Sequence, residues 1–109
     1  TLIVERLPSM SFGYFLISSF DDFVPLIPLS QGSLCLAAPI GRLNRGSAEI
    51  FQANAAGIAS SRLDVLNVPT PTGAISLVPG DTRYFQAWYR DANPGPTSNF
   101  TNGLRIRFE

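Results

Sequence analysis

The sequence predicts an all-β domain over residues 1–109, a two-sheet antiparallel β-sandwich of Ig-like or jelly-roll-like type with about eight strands. Three observations predict it. Turn residues recur at short intervals from Pro8-Ser9 through Pro39, Gly57, Pro69 and Pro79-Gly80 to Pro94-Gly95-Pro96. The runs between them are short and carry strand chemistry, with no internal repeat and no low-complexity tract. One run, residues 82–91 (TRYFQAWYRD), holds the only Trp and two of the three Tyr. Such an aromatic, nearly uncharged segment suits a central strand covered on both faces.

Residues 1–7 open as a weakly alternating strand, with Ile3 and Leu7 on one face and Leu2 and Val4 on the other. Pro8 ends it by removing a backbone donor. Residues 10–19 (MSFGYFLISS) form a second, central strand, and Gly13 inside it implies a bulge or a close backbone approach. Residues 20–29 (FDDFVPLIPL) do not read as a regular central strand, because Pro25 and Pro28 interrupt any ladder. Yet Phe20, Phe23, Val24, Leu26, Ile27 and Leu29 are too apolar for an ordinary loop. The favoured reading is a connection folded over one end of the core; the alternative is an exposed apolar surface that meets a partner.

Residues 33–39 read as a short buried strand. Residues 47–54 and 57–66 read as strand, turn, strand; the Ala-rich stretch 53–59 favours a helical turn locally, but Gly57 interrupts it and no proper cap precedes it. Residues 73–78 lead through Pro79-Gly80-Asp81 into the aromatic strand, with Tyr84, Gln86 and Trp88 on one face and Phe85, Ala87 and Tyr89 on the other. Residues 103–109 alternate, Leu104, Ile106 and Phe108 inward and Arg105 and Arg107 outward, as in a half-solvated strand near an edge.

Charge is scarce and balanced. Eight Arg offset eight Asp and Glu, with no Lys and no His. Charged residues make up 15% of the chain against roughly 25% in ordinary soluble domains, which leaves little to oppose association. No basic cluster is present to neutralise phosphates, so nucleic acid is not an expected partner. No apolar run approaches the ~18 residues of a membrane-spanning helix. The start has no basic region followed by an apolar core, and it opens within a strand. The expectation is a mature fragment, or the end of a longer precursor whose export signal was removed.

Catalysis is not expected. Without His there is no Ser-His triad and no His-ligated zinc, and one Cys makes no thiolate cluster. Asp21-Asp22 is the only adjacent carboxylate pair, and neighbours on a strand point apart. Cys35, between Leu34 and Leu36, fits a buried small hydrophobe; a bridge to a segment outside the chain is the alternative. No cofactor is expected. Calcium is the metal to consider, through Asp91 and Asn93 beside Pro94-Gly95, although Asx residues favour turns for their own hydrogen-bonding reasons. Asn99-Phe100-Thr101 matches the N-x-T acceptor pattern, which makes Asn99 a glycosylation site in a secretory pathway and turn polarity otherwise.

Aromatic side chains that protrude from a sheet stack on sugar rings. Trp88, Tyr84 and Tyr89 are the candidates, with Gln86, Arg90 and Asp91 as hydrogen-bonding partners. The favoured reading places Trp88 in the core, as is usual for a lone Trp flanked by Phe and Ala. Arg90-Asp91 reads as a local charge pair that holds the following turn.

Three stretches, SFGYFLISS, SQGSLCLAAPIGRLN and VPGDTRYFQAWYRDANPGPTSNFTNGLRIRFE, together with Pro8, carry a resemblance. The motifs fall on residues 12–15, 30–36, 40–42, 84–91 and 98–103. The chain resembles a C-terminal accessory module of secreted multidomain proteins from planctomycetes and related environmental bacteria. The resemblance implies a β-sandwich, a secreted or cell-surface location and no established chemistry. Arg83 stands where the family has Trp, and VPLIPL replaces a polar loop before S-Q-G. The family often carries an earlier Cys, upstream of the position of residue 1, that could pair with the position of Cys35.

The expected role is therefore a non-catalytic extracellular structural or adhesive module. Its partners would be copies of itself, assembling into a filament where the contact does not close, or the rest of a larger secreted chain. Contacts would run through Phe20, Phe23, Val24, Leu26, Ile27 and Leu29, and through Thr1, Leu2, Ile3 and Val4 added to a neighbour's sheet. The alternative is a carbohydrate-binding module that holds polysaccharide on Tyr84, Gln86, Trp88, Arg90 and Asp91.

Overall fold

The structure, a computed structural model, describes residues 1–25, 32–92 and 96–109. The described residues form strands and turns without a helix. The strands are β1 (Leu2–Val4), β2 (Phe12–Ser18), β3 (Asp21–Val24), β4 (Leu34–Leu36), β5 (Ile40–Arg42) and β6 (Phe51–Gln52). They continue with β7 (Ala59–Ser61), β8 (Val68–Thr70), β9 (Gly73–Ile75), β10 (Thr82–Ala92), β11 (Pro96–Phe100) and β12 (Leu104–Arg107). All pairings are antiparallel.

The large sheet is built on β10 and β2, the two longest strands, paired from Tyr84↔Ser18 to Tyr89↔Gly13. The far side of β10 is shared by β12 and β11, and the far side of β2 by β5 and β6. Both expected central strands are thus central. A Cβ at Gly13 would meet the Trp88 carbonyl oxygen and the Phe51 ring, so the glycine marks a close backbone approach.

Strand alternation sends Phe15 and Ile17 of β2 and Phe85 and Ala87 of β10 to the same face. There they join Leu2 and Val4 of β1, Ala59 of β7 and the Phe51 ring in one buried cluster. Phe15 and Phe51 meet edge-on with centroids 5.5 Å apart. The two-stranded pair of β1 and β7 forms a second layer over the core face, which makes the arrangement sandwich-like. Burial of these aliphatic and aromatic side chains, roughly 1.5–3 kcal/mol each, is the main favourable term holding the layers together.

Several expectations need correction. Eight strands become twelve shorter ones among the described residues. Asp21–Val24, read as part of a connection, forms β3 and pairs with β4 across an irregular register. Val68–Thr70 forms β8 despite Pro69, because among the described residues its only ladder is with β9 and one edge needs no donor. Leu2, Val4 and Leu7 are all buried, whereas Ile3 is exposed. Arg6, at φ 62°, breaks the alternation and returns Leu7 to the core face. Leu104 is 53% exposed, while Ile106 and Phe108 pack against the core.

Candidate functional site: the outer face of the large sheet

The face of β10 turned away from the core carries Tyr84, Gln86, Trp88 and Arg90, because residues two apart share a side. Hairpin β3–β4 crosses part of this face, and Gln86 ties it down. The Gln86 side chain is 2% exposed. Its Oε1 accepts from the Cys35 amide at 2.8 Å. Its Nε2 donates to the carbonyls of Ser33 at 2.8 Å and Thr101 at 2.6 Å. The buried amide thus makes three hydrogen bonds within the chain, two donated and one accepted. Beside it, Cys35 is half-buried, not enclosed as expected.

Beyond the hairpin the same face is aromatic. Trp88 sits directly across from Tyr14 on β2 and from Phe100 on β11. The Tyr14 and Trp88 rings lie 5.1 Å apart at 34°. Arg90 places its guanidinium carbon 5.1 Å from the centre of the Trp88 ring. Contacts of this kind contribute about 0.5–1 kcal/mol at exposed sites. Phe12, next on this side of β2, is 53% exposed. Trp88 is half-buried on the outer face and not part of the core, which overturns the favoured placement. Alternation assigned it to the face opposite Phe85; the flanking residues gave the wrong side.

The expected ligand set is split between faces. Tyr89 packs against the core, and burial followed by the nearby Asp91 charge raises its phenol above the ordinary range. Asp91 therefore belongs with Tyr89, and Arg90 with Trp88. Successive strand residues point apart, so the Arg90 guanidinium meets the Trp88 ring on the outer face. Tyr84 lies further along, in a shallow cleft of about 370 Å³ shared with Asp21, Asp22, Cys35 and Arg105. Asn93 of the expected calcium pair lies outside the described residues. Asn99 is half-buried on β11, and its Oδ1 accepts from the Phe100 amide at 2.9 Å.

Sequence reasoning missed Tyr14, Phe12 and Phe100. They become neighbours of Trp88 only through the registers of β2 and β11, and no short-range signal reports a register.

Of the expected contact residues, Phe20 and Phe23 are 58% and 66% exposed. Val24 is half-buried, and Leu26, Ile27 and Leu29 lie outside the described residues. Thr1 and Ile3 are exposed, but Leu2 and Val4 are enclosed in this chain's own core and β1 pairs with β7. In the single chain, β1 therefore completes the chain's own core. Withdrawing β1 would open the core that holds it. No helix among the described residues is long and apolar enough to cross a membrane.

No family model, no curated protein and no solved structure matches this chain.

Proposed function

We propose that this chain is a non-catalytic structural or adhesive β-domain that works by surface contact, first of all with copies of itself. The single observation that carries the reading is the exposure of Phe20 and Phe23 at 58% and 66%, on a hairpin laid over the outside of the large sheet. Ten further large apolar side chains are exposed elsewhere among the described residues. With zero net charge, two copies meet no long-range repulsion. The resemblance to secreted accessory modules belongs to the same proposal, in which the contact is made outside the cell.

A fully covered Phe contributes roughly 1.5–3 kcal/mol, so losing two weakens association by about a hundredfold or more. The test is light scattering on the wild type and on the Phe20→Ser/Phe23→Ser double variant. The reading expects concentration-dependent assembly in the first and monomers in the second. Equal behaviour of the two proteins would overturn it.

A second reading rests on the Tyr14–Trp88 ring pair, which offers a sugar-stacking surface beside Arg90. It expects soluble oligosaccharides to change Trp88 fluorescence, and an unchanged spectrum at millimolar sugar counts against it.

A further inference from the structure

The core face of the large sheet is open along one side. There, a groove of roughly 460 Å³ runs between residues 1–7 and residues 100–106. Core-facing side chains, Phe15, Phe85 and Ala87 among them, form its floor. The volume lies within the ~300–1,000 Å³ of ordinary binding clefts. Among the described residues, both rims are strands paired on one edge only: β1 with β7, and β12 with β10. An occupant of this groove therefore meets unpaired backbone donors and acceptors, which another strand satisfies best.

The two faces of β12 specify that strand further. Leu104 and Ile106 line the groove. Arg105 and Arg107 lie opposite Tyr84 and Thr82 on the outer face. Both are exposed, and neither forms an ion pair among the described residues. A strand laid against β12 places alternate residues next to these two cations, where opposite charge is favourable and like charge is not.

We propose that the groove receives an extended segment of a different polypeptide, added to the free edge of β12 with apolar residues turned inward and acidic residues turned outward beside Arg105 and Arg107. A copy of this chain is not the donor, because its sequence nowhere places two acidic residues at alternate positions. The inference stands apart from self-association, which uses the hairpin on the outside of the sheet.

The probe is a seven-residue peptide alternating Val and Asp, with a Val and Lys peptide of equal length as its counterpart. Amide hydrogen exchange and titration calorimetry on the whole chain read the result. The Asp peptide binds and slows exchange at residues 104–107, and the Lys peptide binds about tenfold more weakly. The Arg105→Glu/Arg107→Glu variant, changed only at exposed positions, reverses the preference while its circular dichroism stays that of the wild type. Equal affinity for both peptides, no binding of either, or protection at β5 instead of β12 would overturn the proposal. So would slow exchange at residues 104–107 in the concentrated chain alone, which would put a second copy in the groove.

Discussion

Replacing Gln86 with Leu tests how the hairpin is held to the sheet. The substitution keeps the approximate volume but removes three hydrogen bonds, those to the Cys35 amide and to the Ser33 and Thr101 carbonyls. Each is worth about 0.5–1.5 kcal/mol net, and the stranded partners lose what they gained on burial, so the loss is about 3 kcal/mol. That is a large part of a domain stability of roughly 5–15 kcal/mol. At ~4 °C per kcal/mol for a chain of this size, Tm falls by about 12 °C. Urea unfolding followed by circular dichroism gives the free energy, and hydrogen exchange locates the loss at β3–β4. Gln86→Glu adds a signed control. At neutral pH its carboxylate faces two carbonyls, which raises its pKa in the folded state. That variant therefore gains stability as pH falls and loses it as pH rises through the raised folded pKa. A Gln86→Leu protein within 0.5 kcal/mol of the wild type would refute the reasoning.

Three further outcomes are expected. Gly57 and Gly80 both have positive φ, but a Cβ at Gly57 would meet the Leu7 carbonyl and one at Gly80 would meet nothing. Gly80→Ala thus costs about 1–2 kcal/mol of backbone strain, and Gly57→Ala costs about 1–3 kcal/mol more for crowding; equal losses in urea unfolding would contradict this. A double-mutant cycle with Tyr14→Ala and Trp88→Ala gives a coupling of about 0.5–1.5 kcal/mol, and zero coupling would mean the ring contact contributes nothing. The Arg45 guanidinium, 2.7 Å from Glu49, holds that carboxyl below its ordinary range, mainly by hydrogen bonding. Its stabilisation is present above the unfolded carboxylate pKa and lost as pH falls through the lower folded value. Because the pair is at the surface it amounts to at most ~1 kcal/mol, and Glu49→Gln should abolish that part of the acid dependence.

The long central strands were legible because their information is local. Residues 82–91 and 10–19 combine aromatic and β-branched content with flanking turns, and they became β10 and β2. Short strands were not. Ile40–Arg42 and Val68–Thr70 carry Gly41 and Pro69, which read as punctuation. In the structure a Cβ at Gly41 would meet the Pro69 carbonyl, so the two marks are one close contact. The outer face was half legible. Alternation correctly put Trp88 with Gln86, but Gln86 serves the fold, and its partners lie 51, 53 and 15 residues away. Contacts at such separations depend on topology, which composition and periodicity do not encode. The terminal strand depends on topology in the same way: Leu2 and Val4 alternate as any exposed edge would, and only β7 and the Phe85 face decide that they are core.

Sedimentation velocity over a hundredfold range of protein concentration tests the central claim of surface-driven self-association most directly. The account predicts sedimentation coefficients that rise with concentration for the wild type and stay at the monomer value once Phe20 and Phe23 are both Ser. A wild-type chain that sediments as a single monomer across the whole range would contradict it.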